Sequence, residues 1–144
     1  AAFVYLIHGV DSLKLLREIN KQALKNNRVI NCLLQVHIAR EETKFGMDEA
    51  ELEQAIQQLR EKPEEFNGIA VCGLMGMASF SEDQNLVRTE FRFLKSLFDR
   101  YFQSAETTIQ PPVLSCGMSA DYLTAMEEGS NLIRIGSLLF GVRN

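Results

Sequence analysis

The stretch Leu132–Gly141, LIRIGSLLFG, sets an arginine between two isoleucines directly before a Gly-Ser pair. Its apolar run reads as a strand walled in on both sides, the signature of a parallel sheet. An arginine inside such a strand needs a partner, because a buried guanidinium is costly unless paired. The Gly-Ser turn that follows can offer backbone N–H groups to an anion. Two partners are open for Arg134: a carboxylate on a neighbouring strand end, or a bound anionic ligand.

Working outward from this strand, β-rich runs alternate with helical ones. Phe3–His8 reads as a buried strand, and Asp11 or Ser12 can cap a helix with Leu13, Leu16, Ile19 and Ala23 at helical spacing. Val29–Ile38 is the strongest strand. Asp48 and Glu51 stand at capping-box spacing ahead of a stripe of Leu52, Ala55, Ile56 and Leu59. Ile69–Met77 reads as the third strand, before a long helix carrying Phe91, Leu94, Leu97, Phe98, Tyr101 and Phe102 inward. Val113–Gly117 is a short fourth strand, Ser119 is the expected cap of the next helix, and Gly129 ends it. Five βα-type units in one undivided chain predict an α/β fold with a parallel sheet, either small and open or part of a larger barrel.

The bulk properties exclude several function classes. The chain has 144 residues, 46% apolar and 24% charged, with a formal net charge of −4 and no basic run, so a nucleic-acid role is not expected. Apolar runs are far shorter than a bilayer span, and the opening residues lack a basic leader region, so no membrane or export role is expected. Cys32, Cys72 and Cys116 lie far apart in apolar segments and read as buried thiols of a reducing, cytoplasmic compartment.

Polar residues and glycines collect at the carboxyl ends of the expected strands, where α/β folds bind ligands. Gly117 with Ser119 forms one donor set; Arg134 with Gly136 and Ser137 forms a second on the adjacent strand. Together they suit a phosphate. His8 and His37 end two other strands, but no third metal ligand converges with them, so no metal site is expected. Glu41, Glu42 and Lys44 read as a solvated loop, and Met75 and Met77 as apolar lining.

The segments IHGVD, VHIAREETKFGM, GLMGMA and LSCGMSADYLTAMEEGSNLIRIGSLLFGVR resemble, in this order, the YggS/PROSC family of pyridoxal-phosphate homeostasis proteins. The resemblance runs from Phe3 to Arg143. It implies the alanine racemase amino-terminal fold, a (β/α)8 TIM-type barrel, and a pyridoxal 5'-phosphate (PLP) site. Met118, Ser119, Gly136 and Ser137 then correspond to the phosphate cradle, and Arg134 to the residue facing the pyridine nitrogen. An arginine there keeps that nitrogen unprotonated and weakens the ring as an electron sink, which implies holding the cofactor without robust catalysis.

Two positions depart from the family pattern: His37 stands where Asn is usual, and Ser137 where Thr is common. The resemblance covers only the last five βα units. On it, residues 1–144 are a single domain lacking roughly the first three units and the lysine that forms the Schiff base with PLP. No catalytic residue is therefore assigned. The expected partners are PLP and a second chain or fragment that completes the barrel; pairing of two copies through their open edges is the other way to cover them. A PLP-dependent racemase-like enzyme is the alternative function, and a barrel fragment holding another phosphorylated metabolite a third.

Overall fold

Among the described residues, four strands hydrogen-bond side by side, all parallel and in chain order, with a helix after each. The structure, a computed structural model, describes residues 6–41, 45–103 and 107–134. Strands β1 (Leu6–Val10), β2 (Ile30–Gln35), β3 (Ile69–Gly76) and β4 (Val113–Cys116) alternate with helices α1 (Leu13–Lys25), α2 (Glu49–Glu61), α3 (Gln84–Phe102) and α4 (Tyr122–Glu127). A short 3₁₀ turn, Pro63–Phe66, sits between α2 and β3. The beginning of the expected fifth strand is present: Leu132 bridges Ser115 in parallel, and the Arg134 amide donates to the Gly117 carbonyl at 2.9 Å. Ile135 to Gly141 of that strand, and Phe3 to Tyr5 of the first, lie outside the described residues.

The local signals explain most boundaries. Ser12 caps α1, its side chain accepting from the Leu15 amide. Asp48 and Glu51 form the reciprocal capping box at the start of α2. Ser119 does not cap a helix. Helix α4 begins three residues later, and Asp121 occupies the cap position with its carboxylate accepting the Met118 amide at 2.7 Å. The Asp121 amide also donates to the Met118 carbonyl at 3.1 Å, so residues 118–121 form a turn ahead of the helix. Gly129, at φ 105°, follows the end of α4.

The order β1-β2-β3-β4 never reverses. Right-handed crossovers then place every helix on the same face of the sheet, and the packing agrees. Leu16 and Ala23 of α1, Leu52 and Ile56 of α2, and Phe91 and Leu94 of α3 share one cluster with Cys32, Leu34, Leu74 and Leu114 from the strands. The other face gathers Leu33, Cys72, Met75 and Val113, with Leu6 and Leu132 packed against them and no helix residue. Leu6 belongs to β1 and Leu132 lies beyond β4, so the sheet curls until its two ends share one concave cluster. A cavity of about 300 Å³ lies between them at the amino ends of the strands, lined by Leu6, Ile109, Pro111, Val113 and Leu132 among others.

Two register shifts interrupt the regular pairing, one in β1 between Ile7 and Val10 and one in β3. Cys32 pairs with Val71, but the next residue, Leu33, pairs with Gly73, so β3 carries one extra residue at this step. The bulge switches which side chains face inward, from Ala70 and Cys72 to Met75 and Met77. It also presses Gly73 onto β4, where an added Cβ would lie 1.8 Å from the Val113 carbonyl oxygen. No rotamer relieves a contact between Cβ and backbone.

At the amino ends of the strands, buried Asn20 ties the preceding turn down. Its amide donates to the Glu65 carbonyl at 2.9 Å, and its oxygen accepts the Gly68 amide at 2.7 Å. All three cysteines are free and buried. No helix among the described residues is long and apolar enough to cross a membrane. Gly73→Ala should destabilise the fold by about 3 kcal/mol, lowering the melting temperature by roughly 10 °C. Thermal unfolding followed by circular dichroism checks this, and an unchanged midpoint would contradict the close β3–β4 approach.

Candidate functional site

The carboxyl ends of β3 and β4 open into a cavity of about 520 Å³. One wall is the segment after β3, from Ala78 to Gln84; the other is Met118 to Asp121. That volume suits a small cofactor or metabolite. Met118 presents a half-exposed side chain to the cavity, while its amide is committed to Asp121. Ser119 lines the same space. Gly117, at φ 103°, makes the turn out of β4; a Cβ there would lie 2.6 Å from the Ala125 Cβ, so only glycine lets α4 pack this close.

The second wall is braced from behind. Glu128, just past α4, pairs both its oxygens with α3: Oε1 accepts from Arg92 Nε and Oε2 from an Arg88 guanidinium nitrogen, each at 2.7 Å. The hydrogen bonds from Arg92 and Arg88 hold its carboxyl below the usual carboxylate range. The first wall is braced by a buried carboxylate, Glu90, which accepts both the amide and the hydroxyl of Ser79.

Arg134 lies beside Gly117 at the far edge of the sheet from β1. Its charge nevertheless acts on His8 of β1, the same curl that brings Leu6 to Leu132. Burial, and then the Arg134 cation, push the His8 imidazole below its ordinary value. His8 therefore stays neutral near pH 7, and its Nδ1 is buried with no hydrogen-bond partner among the described residues. The Ser115 hydroxyl is equally without one. Strand alternation puts Ser115 on the concave face, since its neighbours Leu114 and Cys116 pack on the helix side. A cation and two unsatisfied polar atoms thus sit at or near the concave face, an arrangement suited to an anionic, hydrogen-bonding ligand.

Of the residues singled out in the sequence, Met118 and Ser119 share the cavity wall, while Arg134 does not line the cavity and meets this region through its amide bond to the Gly117 carbonyl. Gly136, Ser137, Glu42 and Lys44 lie outside the described residues. His37 bonds through its amide to the Met47 carbonyl at 2.9 Å, in the loop after β2. No cluster of three or more histidine, cysteine or acidic side chains suited to a metal occurs among the described residues. Sequence reading missed Ser79, Glu90, Ser115 and Asp121. For Glu90 a signal existed: an acidic residue on the stripe of Val87, Phe91 and Leu94, three, one and four residues away.

Comparison with known proteins agrees with this fold. A family profile described as alanine racemase, N-terminal domain, matches residues 2–144. The pyridoxal phosphate homeostasis protein of Aquifex aeolicus is 40% identical over 140 residues, covering 97% of this chain and 59% of the relative. PipY of Synechococcus elongatus, solved without PLP, is 29% identical with a TM-score of 0.81; it is covered over 61% of its length, and this chain over 94%. The same protein with PLP bound gives 28% identity and a TM-score of 0.76, with 60% of it and 94% of this chain covered. The chain thus spans about three-fifths of the length of these relatives.

A folded-state imidazole below its ordinary value binds fewer protons than the unfolded one, so His8 makes stability fall as pH drops through and below about 6.5. Titration of the His8 ring by NMR should give a midpoint below that value. Arg134→Gln should move it only part of the way back, because burial is the larger cause. A midpoint unmoved by Arg134→Gln would separate the two residues.

Proposed function

We infer the function of this chain from its site and from its family: it belongs to the alanine racemase N-terminal domain family, and we propose that it binds PLP as part of a cofactor-homeostasis protein. The observation that carries the reading is the concave-face set of Arg134, neutral His8 and the unsatisfied Ser115 hydroxyl, on a sheet whose β3 and β4 ends open into a cavity of about 520 Å³. The relatives named for pyridoxal phosphate homeostasis, and the PLP-bound PipY structure, support it.

PLP has a phosphate dianion, a ring nitrogen that accepts a hydrogen bond and a ring hydroxyl, and the residues present fit that donor set. Ser119, on the cavity wall, would hold the phosphate, with Gly136 and Ser137 as the second half of the cradle. Met118 lines the cavity. Arg134 would donate to the pyridine nitrogen, which would keep that nitrogen unprotonated. When bound, PLP supplies an aldehyde reactive toward amines and a ring that withdraws electrons strongly only when its nitrogen is protonated. Arg134 therefore favours holding over carbanion chemistry. The curled sheet is, on this reading, an arc of the eight-stranded barrel, the other units belonging to the remaining length of such proteins or to a second chain.

Equilibrium binding followed by PLP absorbance tests the proposal. PLP should bind at least tenfold more tightly than pyridoxal, which lacks the phosphate, and Ser119→Ala should weaken PLP about tenfold, the worth of one hydrogen bond to a charged group. Equal binding of PLP and pyridoxal, or no binding, would overturn it. Borohydride reduction followed by peptide mass spectrometry addresses the enzyme alternative. A stoichiometric adduct on Lys44 would favour a racemase-like enzyme; the holding role predicts none.

A further inference from the structure

Two loops at the carboxyl ends of the strands are laced together through one buried carboxylate. Ser79, three residues past β3, donates its amide to Glu90 Oε1 and its hydroxyl to Glu90 Oε2, both at 2.6 Å. The same hydroxyl accepts the Arg40 amide from the loop after β2 at 2.7 Å. One residue on, the Phe80 amide donates to Glu41 Oε1 at 3.0 Å. The chain thus runs Arg40, Ser79, Glu90, from one loop through the next and into α3.

Glu90 is only 7% exposed, and it lies on the apolar stripe of α3 with Val87, Phe91 and Leu94. Packing alone would favour an aliphatic side chain there. A buried carboxylate costs stability unless its oxygens are hydrogen-bonded, and short bonds to each oxygen satisfy this one. What those bonds accomplish is placement. Ser79 and Phe80 belong to the wall of the large cavity that faces Met118, Ser119 and Asp121. Phe80, 90% exposed, has no packing to hold it in place.

We propose that Glu90 is a positioning residue for the cofactor site: acting through Ser79, it fixes the separation of the two cavity walls and thereby slows the departure of bound ligand. The inference rests on the PLP reading above. Its donor pattern makes it testable by small changes. Glu90→Gln keeps an acceptor for the Ser79 amide but presents N–H groups to the Ser79 hydroxyl, which must then accept from two sides and loses its own acceptor. Ser79→Ala removes the hydroxyl link while leaving the carboxylate an amide donor.

The experiment is displacement of bound PLP by excess 4'-deoxypyridoxine 5'-phosphate, followed by absorbance well below the melting temperature. Glu90→Gln and Ser79→Ala should each raise the release rate about tenfold. The double variant should release no faster than either single one, since both cut one link. Asn20→Ala, which loses two buried hydrogen bonds at the opposite end of the sheet, should lower the melting temperature and leave release within twofold of wild type. Release from Glu90→Gln and Ser79→Ala within twofold of wild type, multiplicative single effects, or equally fast release from Asn20→Ala would overturn the proposal while leaving PLP binding intact. A wild-type protein that binds no PLP would overturn the functional reading, and this inference with it.

Discussion

Every strand of this sheet is added beside the previous one, and the helices pack on one face of it; the rest of the structure depends on that repetition. A single reversal of strand order would send helices to both faces and make a flat, doubly covered sheet. Without a reversal the helices accumulate on one side, the sheet curls toward the other, and its first and last strands approach across a helix-free face. Leu6 and Leu132 pack against one cluster at the amino ends, and the Arg134 charge reaches His8 toward the carboxyl ends. The site is therefore a product of curvature. No short sequence window contains it.

The same geometry divides labour between the ends of the strands. The amino ends are tied by amide side chains and apolar packing: Asn20 under the turn into β3, and Leu6 with Val113 and Leu132 inside. At the carboxyl ends, carboxylates set the loops. Glu90 and Glu41 take the consecutive amides of Ser79 and Phe80, Asp121 takes that of Met118, and Glu128 joins α4's end to α3. Amides satisfied by protein carboxylates do not serve a ligand, whereas the Ser115 hydroxyl, without a partner among the described residues, and the Arg134 cation can. This favours a ligand that combines a phosphate with a hydrogen-bonding ring over a bare anion.

The element order was legible because each strand is continuously apolar and each long helix has a stripe of period 3.6 with a local cap. Asp48 with Glu51, and Ser12, act within four residues, so sequence spacing captures them. The Ser119 cap was misread because Met118 and Asp121 close a turn of their own, amide to carbonyl and amide to carboxylate, and the helix starts only after it. The β3 bulge was invisible to simple alternation, although Gly73 inside an apolar strand marks such a place. Arg134 stood out as a charge in a strand; that its charge acts on His8 depends on curl, which spacing does not encode. Glu90 looked like an ordinary helix residue until the Ser79 loop was seen to fold onto it.

The most direct test of the central claim, that the concave face binds PLP at the carboxyl ends of the strands, is an NMR titration of the isotopically labelled protein with PLP. The account predicts shifts concentrated at Gly117 to Ser119, the Arg134 guanidinium and the His8 ring, with Leu6, Ile109 and Val113 unaffected. Shifts centred instead on Leu6, Ile109 and Val113, around the cavity at the amino ends, would contradict it.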